Sequence, residues 1–198
     1  LKWSFGFAGA SASGSQVSIV GNRVFVGSRN GVMYALDRQT GCLVWAFEAD
    51  AGTRSTPVVV QAANAATVYF GDAHAQVYAL DAATGALKWK VKVEDHLDAM
   101  ITGGVVVHNN RIYVPVSSLE EGTATMASYE CCTFRGSIVS LDAATGKQLW
   151  KTYTIPRTPE PAGKNSVGTQ LRAPSGAAVW SAPALDPVRN PLYIKSGK

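Results

Sequence analysis

Apolar residues recur at every second position along short stretches of the chain, a pattern that predicts β-strands. In the clearest stretch, Val32, Tyr34 and Leu36 alternate with small or apolar neighbours, so both faces of the predicted strand are suited to burial. The segment Asp37-Arg-Gln-Thr-Gly41 follows. It predicts a tight turn, because an aspartate can accept hydrogen bonds from amides two or three residues further on and glycine permits a positive φ. The segment Leu43-Val-Trp45 predicts the returning strand.

This strand–turn–strand unit occurs three times, with Leu-Asp, Thr-Gly and Trp at constant offsets. The copies are residues 31–45, 75–89 and 136–150, and Trp3 is the tail of a preceding copy. One such unit cannot bury its own apolar faces, so neighbouring units are expected to stack through their tryptophans. A repeat of about 40–45 residues with four short strands is typical of a β-propeller.

The sequence therefore predicts an all-β fold: a partial β-propeller over residues 1–198, with three complete blades and an incomplete fourth. The expected units are about 15–48, 55–92, 101–152 and 177–198. Because a closed propeller needs about four to eight blades, we expect the chain to be part of a longer protein. It would comprise the N-terminal half of that protein and would be inactive alone.

Composition narrows the classes of function. Hydrophobic residues make up 46% of the chain and charged residues 16%, which suits a buried core. The net charge of +4 comes from scattered lysines and arginines without a basic stripe, so nucleic-acid binding is not expected. The chain lacks an apolar run of about 18 residues, and no membrane span is expected.

Two irregular stretches interrupt the repeats. Residues 117–134 lie between two predicted strands of the third unit, and residues 153–179, rich in proline and glycine, are predicted to form a long loop without strands. Inserted loops on repeat scaffolds often carry function, so residues 117–134 are a candidate for it.

The adjacent pair Cys131-Cys132 is the clearest chemical signal in these loops. A disulfide between neighbours closes a strained eight-membered ring, since their Cα atoms lie about 3.8 Å apart across a trans peptide, nearer than in most disulfides. Two reduced, buried thiols are the alternative. The third cysteine, Cys42, is expected to be a small buried residue.

Two further residues could bind ligands. Glu120 follows a predicted strand, where a carboxylate can ligate a hard cation such as Ca²⁺; a solvated loop acid is the alternative. Trp180 does not follow Thr-Gly, unlike the repeat tryptophans. It could offer a flat face to a planar ligand or could pack between sheets. The three histidines share no spacing with Asp or Ser, so a hydrolytic triad is not predicted.

Together these motifs resemble the quinoprotein alcohol dehydrogenases, which use pyrroloquinoline quinone (PQQ) and Ca²⁺ on an eight-bladed propeller. The resemblance rests on the repeat Tyr-Ala-Leu-Asp-Ala-Ala-Thr-Gly…Trp, the stretch Ser117-Ser-Leu-Glu120 and the cysteine pair. The segments Ile112-Tyr-Val-Pro-Val-Ser-Ser-Leu-Glu-Glu121 and Tyr129-Glu-Cys-Cys-Thr-Phe-Arg-Gly136 are similar to the polyvinyl-alcohol dehydrogenase branch.

The resemblance implies roles for named residues. Thr102 and Ser117 would donate hydrogen bonds to the quinone carboxylates, and Glu120 would ligate Ca²⁺. Cys131 and Cys132 would form a disulfide over one face of PQQ, with Trp180 beneath the other face.

The sequence departs from the family pattern at three places. The cysteine pair follows Glu120 instead of lying one blade earlier. The family's metal-binding Asn falls on Lys198, which cannot ligate a cation. The family's general-base Asp belongs to a later blade, so the catalytic residue is unknown.

The resemblance implies oxidation of secondary alcohols, polymeric ones included, with electrons passed to an external acceptor such as cytochrome c. A non-catalytic propeller scaffold of the outer-membrane assembly type, which binds partner proteins along strand edges, is the alternative. A Ca²⁺-independent sugar dehydrogenase on the same fold is a third. Because disulfides persist in oxidising compartments, a periplasmic or extracellular location is expected.

Overall fold

The computed structural model describes residues 1–9, 13–62 and 65–197. Two four-stranded antiparallel sheets form the first part of the chain, each with its strands in sequence order. The first sheet contains β1 (Ser18–Val20), β2 (Arg23–Gly27), β3 (Val32–Asp37) and β4 (Leu43–Glu48). The second contains β5 (Val58–Gln61), β6 (Ala66–Gly71), β7 (Gln76–Asp81) and β8 (Leu87–Lys92).

The third sheet has the same order and gains one short extra strand. Its elements are β9 (Ala99–Met100), β10 (Val106–His108), β11 (Arg111–Ser118), β12 (Ser137–Asp142) and β13 (Gln148–Tyr153), and β9 pairs with the end of β11. The helix α1 (Glu120–Thr123) follows β11 directly. Two hairpins complete the fold: β14 (Glu160–Lys164) with β15 (Gln170–Ala173), and β16 (Ala184–Leu185) with β17 (Leu192–Tyr193).

The turn chemistry predicted for the repeat is present in all three copies. The carboxylate of Asp37 accepts hydrogen bonds from the amides of Gln39 and Thr40, at 2.9 Å each, and from the Thr40 hydroxyl at 3.0 Å. Asp81 and Asp142 make the corresponding contacts. The glycines that end the turns have φ angles of 74°, 77° and 74°.

Each of three tryptophans packs against the turn glycine of the following sheet. A Cβ placed on Gly41, Gly85 or Gly146 would lie 2.6, 2.8 or 2.7 Å from the nearest ring atom of Trp3, Trp45 or Trp89. Trp45 also donates from Nε1 to the carbonyl of Ala82, at 3.1 Å. The sheets are thus joined by the same contact at successive positions along the chain.

The core lies between neighbouring sheets, because the middle strands are buried on both faces, as their sequence pattern predicts. Met33 and Ala35 of β3 and Tyr78 and Leu80 of β7 belong to one buried cluster between the first two sheets. A second cluster joins the second and third sheets and includes Ala178, beside the candidate site. The all-β, propeller-type fold predicted from the repeats is confirmed; the boundaries of the units stay a prediction.

Two expectations were wrong. Residues 153–179 contain the β14–β15 hairpin, because the side chain of Asn165 accepts hydrogen bonds from Val167 (3.1 Å) and Thr169 (2.9 Å) and closes the turn. Cys42 is exposed, because it lies between the turn and the outermost strand of its sheet, where side chains face outward.

Candidate functional site

Trp180 and Cys132 line one cavity at the end of the third sheet. The cavity has a volume of about 240 Å³, and Ser118 and Glu121 lie on its wall. Cys132 reaches it from the loop after α1, and Trp180 from the segment before β16. An indole and a sulfur pair are apolar and polarisable surfaces, which suit the faces of a planar ring.

The cysteine pair is held by the hairpin that the sequence did not predict. Cys131 and Cys132 are joined in a disulfide. The amide of Arg172, in β15, donates to the carbonyl of Cys131 (2.6 Å), and the amide of Cys132 donates to the carbonyl of Arg172 (3.3 Å). Strand β15 of the hairpin therefore holds the backbone of the cysteine pair in place through two hydrogen bonds.

Thr102 and Ser117 lie together, but their hydroxyls already have partners within the protein. Their oxygens are 3.0 Å apart, and Ser117 also donates to the carbonyl of Met100 at 3.1 Å. Thr102 donates to the carbonyl of Trp180 at 2.9 Å. Ser117 is fully buried, whereas Thr102 lines a cavity. The Thr102 hydroxyl thus fixes the segment carrying Trp180, and the contacts of both hydroxyls with a quinone stay a prediction.

The Glu120 side chain is buried and contacts the backbone directly after Cys132. Its Oε1 accepts hydrogen bonds from the amide of Thr133 (2.6 Å) and the hydroxyl of Tyr129 (3.1 Å), and its Oε2 accepts one from the amide of Phe134 (2.9 Å). Nε2 of His96 lies 3.4 Å from Oε1. The carboxylate is therefore surrounded by donors.

These donors determine the ionisation of the group. Burial acts to raise the pKa of Glu120, but the hydrogen bonds from His96 and the amides of Thr133 and Phe134 outweigh it and lower the pKa to about 2. In return, the hydrogen bond to Glu120 raises the pKa of His96, against the effect of burial. Burial and the nearby Glu120 charge both raise the pKa of Tyr129. The Glu120 carboxylate is therefore ionised, and the raised pKa of His96 favours the protonated imidazole beside it.

The surroundings of Glu120 do not fit a calcium site. Calcium takes about 6–8 oxygen ligands, and both oxygens of this carboxylate already accept hydrogen bonds. Across residues 1–9, 13–62 and 65–197 there is no group of three His, Cys, Asp or Glu placed to hold a metal ion. Lys198, the counterpart of the family's Asn, lies outside the described residues. Calcium binding at Glu120 stays a prediction of the resemblance, and these contacts argue against it.

A second cavity, of about 400 Å³, adjoins Trp180. One of its lining residues is a positively charged side chain that the sequence analysis did not identify. Arg54 lines the cavity together with Thr102 and Gln16. Arg54 is exposed and makes no salt bridge with the part of the chain that the structure describes. A signal was present: Arg54-Ser-Thr-Pro57 and Trp180-Ser-Ala-Pro183 match in spacing, so both residues stand at the same point of their units.

His96 was also missed, because its partner lies 24 positions away in sequence, on another element. The loop carrying it is fixed by Glu94, whose carboxylate accepts from the amides of Asp95 (2.9 Å) and His96 (3.3 Å). Lys151 donates to the other oxygen of Glu94 at 2.5 Å and to the carbonyl of Val93 at 3.0 Å. This half-buried ion pair joins β13 to the loop before the site.

Replacing Lys151 with methionine is expected to destabilise the protein by about 1–3 kcal/mol at pH 7, because Glu94 is left without its charged partner. Burial acts to raise the pKa of Glu94, but Lys151 outweighs it and holds the pKa below its usual value. The stabilisation is therefore present above about pH 4.3, the unfolded value, and is lost as the pH falls through the lower folded pKa.

Urea unfolding of the protein and of Lys151→Met at pH 7 and pH 3 measures this difference. The difference between the two proteins should be largest at pH 7 and smaller at pH 3. An equal difference at both values would show that the Glu94 charge does not stabilise the fold.

Comparison with known proteins identifies the family. The family model described as outer membrane protein assembly factor BamB, a PQQ-type repeat, matches residues 1–160. The chain is 41% identical over 198 residues to the polyvinylalcohol dehydrogenases of a Pseudomonas species and of Sphingopyxis sp. strain 113P3. It covers 31% and 30% of those proteins, so it spans about a third of the length of these relatives.

A solved structure has the same fold. The quinohemoprotein alcohol dehydrogenase ADHIIG from Pseudomonas putida HK5 superposes with a TM-score of 0.70 at 24% identity, covering 93% of this chain and 28% of that one. Within the described residues, no helix combines the length and the apolar character needed to cross a membrane. The family predicted from the repeat and the cysteine pair is confirmed. The chain belongs to the PQQ-type propeller family and is a homologue of its quinoprotein alcohol dehydrogenases.

Proposed function

We propose that this chain forms part of a PQQ-dependent dehydrogenase that oxidises secondary alcohols, polymeric ones included. The observation that carries the proposal is the cavity shared by Cys132 and Trp180, since it brings a disulfide and an indole to one space. Homology to polyvinylalcohol dehydrogenases supports the substrate class.

The residues present fit a flat, polyanionic cofactor. Cys132 and Trp180 would contact the ring, and Arg54, in the adjoining cavity, offers a guanidinium group suited to carboxylates. When bound, PQQ would accept the two electrons released as the alcohol carbon is oxidised. Thr102 orients Trp180 through its hydrogen bond to the Trp180 carbonyl.

Titration of the protein with PQQ, followed by quenching of tryptophan fluorescence, tests this assignment. We expect saturable binding that Trp180→Ala weakens at least about tenfold, a change of about 1.4 kcal/mol, because the stacking surface is lost. Arg54→Gln should weaken binding by a similar factor, and more strongly at low salt, because it removes a cation from the anion site. Trp150→Ala is the matched control: Trp150 lies on β13, outside both cavities, and its loss should leave the dissociation constant unchanged.

Failure of the protein to bind PQQ, or equal affinity in Trp180→Ala, would overturn the assignment. Activity is a separate test: we expect no oxidation of a secondary alcohol by this PQQ-loaded chain alone with an artificial electron acceptor, since it spans about a third of the length of its relatives.

A non-catalytic scaffold that binds partner proteins is the second candidate. The match of residues 1–160 to the model described as an outer membrane protein assembly factor favours it. Such a scaffold needs neither the disulfide nor a cation facing Trp180, so a protein that fails to bind PQQ yet forms a stable complex with an outer-membrane protein would support it.

The proposal extends to location and electron transfer. A periplasmic or extracellular location is supported by the Cys131–Cys132 disulfide, since such bonds persist in oxidising compartments. An external acceptor such as cytochrome c would then receive the electrons.

A further inference from the structure

The two amides that directly follow Cys132 converge on one carboxylate. Thr133 donates to Oε1 of Glu120 at 2.6 Å, and Phe134 donates to Oε2 at 2.9 Å. Each carboxylate oxygen thus accepts a hydrogen bond from one of two consecutive backbone amides. Hydrogen bonds to an ionised acceptor are roughly twice as strong as neutral ones, and this pair fixes the backbone immediately beside Cys132.

Glu120 is itself fixed to the third sheet. It stands two residues beyond the end of β11, and its own amide donates to the hydroxyl of Ser118 at 3.1 Å. Residues 121–132 form a loop that begins in α1 and ends at the disulfide. The Glu120 carboxylate joins the two ends of this loop, because Glu120 precedes it and the amides of Thr133 and Phe134 follow it. The position of the disulfide relative to β11 consequently depends on this side chain.

The charge of the carboxylate is compensated inside the protein. His96 lies 3.4 Å from Oε1, and the hydroxyl of Tyr129 donates to the same atom at 3.1 Å. The Nε2 atom of His96 also lies 3.0 Å from the hydroxyl of Thr133. A cation bound to Oε1 would have to displace these donors, among them the amide that holds the loop.

We propose that Glu120 is a positioning residue that holds the Cys131–Cys132 disulfide against the cavity, and that it acts through its hydrogen bonds to Thr133 and Phe134 instead of ligating calcium. We call the two hydrogen bonds from the amides of Thr133 and Phe134 to Glu120 the clamp. The importance of the clamp for cofactor binding rests on the proposed function, but the clamp itself does not depend on a cofactor. The neighbouring carboxylate of Glu121, and not that of Glu120, lines the cavity.

The first test is the rate at which dithiothreitol reduces the disulfide in the cofactor-free protein. Glu120→Gln keeps the size of the side chain but removes its charge and turns an N–H₂ group toward the loop amides. We expect reduction to accelerate at least about tenfold, equivalent to about 1.4 kcal/mol of lost protection. Glu48→Gln, which removes an exposed carboxylate at the end of β4 in the first sheet, is the control and should leave the rate unchanged. An unaltered rate in Glu120→Gln would overturn the proposal.

The second test uses the unmodified protein and therefore does not depend on the variant folding. We expect the amides of Thr133 and Phe134 to exchange slowly with deuterium in calcium-free buffer, and their protection to stay the same when calcium is added. Fast exchange without calcium, or a change in the exchange of these two amides on its addition, would contradict the clamp.

Calcium titration calorimetry of the protein and of Glu120→Gln completes the test. Equal heats in both are expected, and calcium binding that disappears only in Glu120→Gln would overturn the proposal. If PQQ does not bind at all, the proposed function fails while the exchange and reduction results still decide the role of Glu120.

Discussion

Replacing Gly85 with alanine is expected to destabilise the protein by about 3 kcal/mol. The new Cβ would lie 2.8 Å from the ring of Trp45, and the backbone φ of 77° is one that alanine rarely adopts. The conformational penalty is about 1–2 kcal/mol, and crowding in a packed contact adds about 1–3 kcal/mol. Urea unfolding followed by circular dichroism measures the change.

Gly21→Ala separates the two contributions. Gly21 also has a positive φ, of 57°, but nothing lies within 4 Å of a Cβ placed there. This substitution should therefore show only the conformational penalty of about 1–2 kcal/mol. Equal destabilisation by Gly85→Ala and Gly21→Ala would mean that the tryptophan–glycine contact does not join the sheets.

Removing the indole of Trp45 is expected to cost more, about 3–5 kcal/mol for Trp45→Ala, because the side chain is 7% exposed and a cavity would remain. The Ala82 carbonyl would also lose its donor. Trp150 occupies the same repeat position but is 36% exposed. Trp150→Ala should therefore cost less than Trp45→Ala, because Trp150 buries less apolar area.

The double variant Trp45→Ala with Gly85→Ala tests whether the two residues act on each other. Once the indole is absent, the alanine at position 85 meets no ring, so the two changes should be non-additive by at least about 1 kcal/mol. Strict additivity in urea unfolding would contradict the packing described here.

Features decided by neighbouring residues could be predicted from the sequence. The turn after β3 depends on Asp37, Thr40 and Gly41, which lie within five positions, and its hydrogen bonds were predicted correctly. Burial of β3 on both faces was predicted for the same reason, since alternation along a strand maps directly onto its faces.

Features decided by contacts between distant segments could not be predicted. The β14–β15 hairpin was missed because its prolines suggested a loop, whereas the turn at Asn165 and the pairing of Arg172 with Cys131 stabilise it. Glu120 was recognised as a candidate, but its partner His96 comes from another loop. Arg54 lines the second cavity because the segments that precede the first strands of successive units meet there.

The most direct measurement is an experimental structure of the protein crystallised with PQQ. We predict density for the tricyclic quinone in contact with the Trp180 indole and with the Cys131–Cys132 disulfide, and a quinone carboxylate within ion-pair distance of Arg54. A quinone bound away from Trp180, or a cavity that closes without admitting it, would contradict the central claim that this cavity is the cofactor site.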